Sequence, residues 1–193
     1  MNRIAQLDPA QTSGKAQQLF TAVQAKLGIV PNLVRVLGNS PAALESYLGF
    51  SDALAGGVLS ARIREQISLV VAETNLCGYC LSAHTYLGSK LGLSEAEIAG
   101  ARRATATPVR DDAVLKLARA IVLQRGEISD ADLAAAKGAG LNDAELVEVV
   151  ANVSLNIFTN YLNHVARTVV DFPEVKPGAT EPASGADGSS GAH

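Results

Sequence analysis

The sequence predicts an all-α fold, and three observations carry that prediction. Apolar residues recur at three- and four-residue intervals, helix-starting signals precede those runs, and no alternating strand pattern or Asn-Gly hairpin turn occurs. Composition agrees. Of 193 residues, 48% are hydrophobic but only 4% aromatic, with no tryptophan, so small side chains dominate and helices can approach closely.

The elements follow in order. "SPAALESYLGFSDAL" opens with Ser40 and Pro41, an N-cap followed by a first-turn proline. Ser60 can cap "ARIREQISLVVAETN", where Ile63, Ile67 and Val70 or Val71 share a face. The segment "ETNLCGYCLSAHTYLGSKLG" then predicts a helix from about Cys77, ended by Gly92. "LSEAEIAGARRA" begins with a capping box of Ser94 and Glu97, and "LNDAEL" repeats the device with Asn142 and Glu145. Between them, "DDAVLKLARAIVLQRG" places Val114, Leu117, Ala118 and Ile121 on one face, and "SDADLAAAKGAG" reads as a short helix ending in glycines. The matching "GLSEAEI" and "GLNDAEL" raise the idea of an internal helical repeat. The expected organisation is one helical domain over residues 1–174. A Gly-, Pro-, Ala- and Ser-rich tail over 175–193 is expected to be disordered, which removes His193 from any catalytic role.

Composition also narrows function. A net charge of −3 with no dense Lys/Arg stripe argues against a nucleic-acid partner. The amino-terminal stretch has no continuous apolar region of a signal peptide, and "VEVVANVSLNIFTNYL" is interrupted by asparagines well short of a membrane span. A cytoplasmic protein without membrane attachment is expected. In a reducing compartment, two cysteines spaced C-x-x-C point to catalysis or metal binding rather than a structural staple.

On a helix, Cys77, Cys80 and His84 fall within about 60° of one another. Cys80 and His84 are one turn apart, so the imidazole can reach the thiol. The helix N-terminus stabilises a thiolate, and Cys77 is close enough for a disulfide if the first turn adjusts. One face therefore offers a nucleophilic thiol, a resolving thiol and a proton acceptor, the minimum for thiol redox chemistry. Two rival readings stand beside it. Buried cysteines often serve as small apolar fillers. C-x-x-C-x-x-x-H also offers three zinc ligands, but there is no third cysteine, and His164 is the single plausible fourth ligand. A thioredoxin-like reading fails for want of a preceding strand.

"REQISLVVAETNLCGYCLSAHTYLGSKLGLSEAEI" resembles the core of the alkylhydroperoxidase D-like group of the carboxymuconolactone decarboxylase superfamily. That signature is a glutamate, eleven intervening residues, then C-x-x-C-x-x-x-H. Glu65, Cys77, Cys80 and His84 match it. A looser resemblance runs from about Pro31 to Pro173, where "FTNYLNHVARTVVDFP" is similar to the peroxidase-related branch. The resemblance implies an all-helical homo-oligomer, trimeric or hexameric, that reduces hydroperoxides without a cofactor or metal. By carry-over, Cys80 attacks the peroxide and Cys77 resolves it as a disulfide. His84 and Glu65 relay the proton, and an external dithiol, a lipoylated or thioredoxin-type protein, restores the thiols. Some members carry a second histidine between the cysteines. Here that position is Tyr79, which cannot act as a base near neutral pH.

Helical geometry alone does not select Glu65. In a simple two-helix hairpin Glu73 lies nearer the turn, and the two carboxylates are about 80° apart around the helix. The resemblance selects Glu65, with Glu73 as second choice. On the last helix Asn152, Asn156, Asn160 and His164 recur every fourth residue among apolar neighbours. This stripe is expected to line the site or a subunit interface in part, since buried amides need partners. Two alternatives to a peroxidase remain: a lactone decarboxylase, whose chemistry needs no C-x-x-C pair, and a non-enzymatic redox sensor.

Overall fold

The computed structural model describes residues 2–178, which contain nine helices and no strand. They are α1 (Gly14–Leu27), α2 (Asn32–Leu37), α3 (Pro41–Ala55), α4 (Ala61–Thr74), α5 (Gly78–Lys90), α6 (Glu95–Arg102), α7 (Val109–Gln124), α8 (Asp130–Gly138) and α9 (Asp143–Ala166). The predicted caps are in place. Ser40 Oγ accepts the Ala43 N–H and Ser60 Oγ the Ile63 N–H, while both capping boxes close reciprocally. Ser129 and Asp132 form a third box at α8. The two matching "GL…E" segments head helices of 8 and 24 residues.

α4 is the central helix. It packs against α5, α6, α7 and α9, and every residue from Gln66 to Glu73 is buried. The sequence pattern anticipated one apolar face; burial on all sides is what a helix surrounded by others requires. Ile67, Leu69, Val71, Leu81, Leu115, Val149 and Val153 are fully shielded from water. Each such side chain contributes roughly 1.5–3 kcal/mol of apolar burial. The predicted α7 face of Val114, Leu117, Ala118 and Ile121 is buried as well.

The turn joining α4 to α5 positions the cysteines. The Cys77 N–H donates to the Ala72 carbonyl at 2.9 Å, and the Leu76 N–H donates to the Glu73 carbonyl at 3.0 Å. That pair of bonds is the Schellman closure of a helix C-terminus, with Leu76 in the position usually given to glycine. Leu76 accordingly has φ of 54° in the left-handed region, where an L side chain is strained. At the other end of α5, Gly92 takes φ of 82° and ends the helix as predicted.

After α9 the chain crosses back over α5. The Val175 N–H donates to Ser82 Oγ at 2.9 Å, Arg102 donates to the Lys176 carbonyl at 3.0 Å, and the Gly178 N–H donates to Glu73 at 2.5 Å. Residues 175–178, assigned from composition to a disordered tail, are thus tied to the helices. Composition is blind to such backbone bonds. The rest of that tail, 179–193 with His193, lies outside the described residues.

Candidate active site

Cys77 is the N-cap of α5, and its Sγ accepts the Cys80 N–H at 3.3 Å. The two sulfurs are 2.8 Å apart as free thiols, so a bond of about 2.05 Å needs only a small movement. Both residues are buried. The hydrogen bond from the Cys80 thiol, then the Cys80 N–H and the charge of His84, hold Cys77 below the usual thiol range against the effect of burial. Cys80 is pushed well above that range, first by the same bond to Cys77 and then by burial, while Asn163 and Asn160 pull it down. The pair therefore shares one proton, and its first ionisation belongs to both sulfurs.

Nδ1 of His84 lies 2.6 Å from Oε1 of Glu65, with both side chains largely shielded. Burial would lower the imidazole pKa, but the charge and hydrogen bond of Glu65 outweigh it, and the net direction is upward from 6.5. Glu65 and His84 meet because α4 and α5 run back antiparallel about the Leu76 turn. Gly88 leaves room for Leu93 beside this pair: a Cβ there would stand only 3.0 Å from Leu93 Cδ1, while Glu65 Cγ at 3.5 Å would be in ordinary contact.

Cys80, His84 and Glu65 line a common cavity of about 430 Å³, walled mainly by apolar residues of α1, α3, α5 and α9 and by Phe172. Cys77 does not line it, so Cys80 is the sulfur that a ligand in the cavity would meet. Tyr47 of α3 also faces this space. Burial, reinforced by the negative charges of Cys80 and Glu65, pushes its phenol up to about 12, so it stays a neutral proton donor. Tyr79 is fixed differently. Its oxygen accepts the Leu33 N–H at 3.0 Å, its ring meets Phe172 edge-on, and burial with nearby Asp171 pushes its pKa upward. It orders the wall of the cavity and has no base to offer.

Of the asparagine stripe, Asn152, Asn156 and Asn160 are buried, and the first two line the cavity. His164 is exposed and its Nε2 lies 2.8 Å from the Asn75 carbonyl. A residue outside the four-residue spacing, Asn163, reaches the chemistry: its Nδ2 donates to Cys80 Sγ at 3.2 Å.

The Carboxymuconolactone decarboxylase family profile matches residues 41–122. Among solved structures, an AhpD-core, peroxidase-related protein from Ralstonia eutropha JMP134 superposes with a TM-score of 0.79 at 23% identity. The match covers 88% of this chain and 92% of that one. Residues 41–122 are similar to the carboxymuconolactone decarboxylase family, and the chain has an AhpD-like fold. A peroxidase-related protein from Silicibacter sp. TM1040 gives a TM-score of 0.76 at 24% identity, covering 86% of this chain and 89% of that one. The debrominase Bmp8, in complex with 2,3,4-tribromopyrrole, also shares the fold, with a TM-score of 0.76 at 14% identity over 88% of this chain and 91% of that one. Comparison with curated proteins found no match.

Within this AhpD-like fold, all four residues singled out by the signature fall in the matched segment. Glu65 meets His84, whereas Glu73 turns away to an ion pair with Arg102 at 2.8 Å and to the Gly178 N–H. Nearness to the turn misled because a helix face, not distance along the axis, decides what a side chain reaches. No three of His, Cys, Asp and Glu converge to hold a metal ion among the described residues, and no described helix is long and apolar enough to cross a membrane. Tyr47, Asn163 and Phe172 were not anticipated. Only Asn163, one turn beyond Asn160, carried any sequence signal.

Proposed function

We propose that this protein is a dithiol hydroperoxide reductase. One observation carries the reading: a C-x-x-C dithiol presents Cys80 to a mainly apolar cavity that the Glu65–His84 pair also lines. The Cys80 thiolate attacks the distal oxygen of ROOH, the O–O bond breaks, and sulfenic acid forms on Cys80. The departing alkoxide takes a proton from His84 and leaves as ROH; the upward shift of His84 enlarges its protonated fraction at neutral pH. Cys77 then attacks the Cys80 sulfur, the S–O bond breaks, and water leaves with the Cys77 proton as the disulfide forms. An external dithiol, lipoylated or thioredoxin-type, reduces that disulfide by exchange and is itself oxidised.

Resting charge and access point to different sulfurs, since Cys77 has the lower pKa and Cys80 the open face. Access decides, because a proton crosses 2.8 Å more readily than a peroxide crosses a packed helix. The apolar walls suit organic hydroperoxides, with hydrogen peroxide as a smaller substrate. We assign the active form to a homo-oligomer. Peroxide consumption in the presence of a dithiol reductant tests the reading. Cys80→Ser should abolish turnover, and Cys77→Ser should halt it after one equivalent. Turnover undiminished in Cys80→Ser would refute the assignment.

A further inference from the structure

Beside Cys80, and outside the lining of the cavity, α9 delivers two carboxamides. Asn163 Nδ2 donates to Cys80 Sγ at 3.2 Å. Asn160 is completely buried, and its Oδ1 accepts from Asn75 Nδ2 at 3.0 Å, which fixes the plane of the amide. Its Nδ2 is buried with no hydrogen-bond partner among the described residues, and Asn160 lies near enough to the sulfur to favour ionised Cys80. Asparagine is a poor helix former, and a buried N–H without an acceptor is costly. A thiol sulfur is a weak acceptor, but a thiolate takes several charge-assisted hydrogen bonds. A charged sulfur therefore strengthens the Asn163 hydrogen bond and offers the unpartnered Asn160 N–H an anion to turn to.

We propose that Asn160 and Asn163 form a carboxamide cradle that draws the negative charge of the dithiol onto Cys80, the sulfur facing the cavity. This deepens the reading of Cys80 as the attacking sulfur and rests on it. The cradle opposes the pull of the Cys77 N-cap, so the shared proton can move to Cys77 without a large free-energy climb. It also holds the thiolate from outside the cavity lining and leaves lone pairs free for the cavity. The other ionisable groups beside the sulfur or on the walls of its cavity are Cys77 ahead of α5, Tyr79, His84 and Tyr86 on α5, Arg64 and Glu65 on α4, Tyr47 and Asp52 on α3, and Lys26 on α1. The side chains that α9 brings here are neutral amides, so exchanging one for an apolar group leaves the surrounding charges unchanged.

The test is the rate of Cys80 alkylation by iodoacetamide, read by mass spectrometry between pH 5 and 10 on the intact reduced protein. It needs no peroxide, so it stays informative if the hydroperoxide reading fails. In Asn163→Leu the neutral-pH rate should fall about tenfold, with the profile displaced to higher pH and the full rate regained at the alkaline end. Asn160→Leu should move it in the same direction. A purely packing role would lower the rate equally at every pH, and that result overturns the cradle. So does an unmoved profile in both variants. Should Asn163→Leu fail to fold, Asn163→Asp keeps the shape, replaces donor by acceptor, and should displace the profile further. A normal cradle response without peroxide turnover in the wild type would retire the peroxidase reading alone.

Discussion

His84 sits 2.6 Å from a carboxylate in a site where burial disfavours its charge, and the two effects compete. In Glu65→Gln the carboxamide can still accept the Nδ1 hydrogen bond, but the negative charge is gone and burial prevails. The His84 pKa should then fall below its ordinary 6.5, a change that imidazole proton resonances report directly. The linkage sign follows. Because the folded-state value is raised, the pair's contribution to stability is complete below about pH 6.5 and is lost as pH rises through the folded value. Glu65→Gln should therefore flatten the stability profile in that window, and an unchanged imidazole titration would contradict the coupling. At this scale the site was legible in part. Glu65, Cys77, Cys80 and His84 lie on two consecutive helices at fixed spacing, so the sequence displays them together. Tyr47 and Asn163 come from α3 and α9, and only packing brings them to the sulfur.

Helix starts were readable because a cap is a local bargain between one side chain and its own backbone, as at Ser40, Ser60, Ser94 and Asn142. The end of α4 was not, since a leucine occupies the left-handed position. Nothing in "ETNLCGYC" announces a Schellman turn; the demand comes from placing Cys77 at the head of α5 beneath Ala72. Leu76 is largely exposed, so little packing is lost on its removal. Leu76→Gly should relieve the left-handed strain, offset in part by the entropy of glycine, for a gain of about 0.5–1 kcal/mol in unfolding free energy by denaturant titration. A loss of stability instead would show that the leucine side chain, rather than the backbone, holds the turn. The crossing of residues 175–178 over α5 belongs to this scale too. It rests on main-chain hydrogen bonds to Ser82, Arg102 and Glu73, which composition does not encode.

For the molecule as a whole, α9 has two working faces. The inner one buries Leu146, Val149 and Val153 in the core and carries the asparagines to the site. The outer one shows Val147, Val150, Phe158, Tyr161 and Val165, each between 42% and 68% exposed. Their spacing of three and four residues, interrupted by Ser154 and bridged from Val150 to Phe158, makes a single apolar ridge. Scattered exposed apolar residues are ordinary, whereas apolar residues aligned along one face of a 24-residue helix suit an association surface. In the proposed homo-oligomer such a ridge would take a neighbouring copy of the chain, with closed symmetry limiting the assembly to a few copies. The expected mass in solution is three or six times the 19.9 kDa of one chain. The double substitution Phe158→Glu and Val165→Glu places charges where a dry contact is needed, and should reduce the mass to that of one chain with helix content unchanged. Sedimentation velocity measures the mass, and far-UV circular dichroism the helix content. A wild-type protein that sediments as a monomer would remove the ridge from the interface, whereas a dissociated variant that keeps its dithiol alkylation profile would show that each subunit builds its site alone.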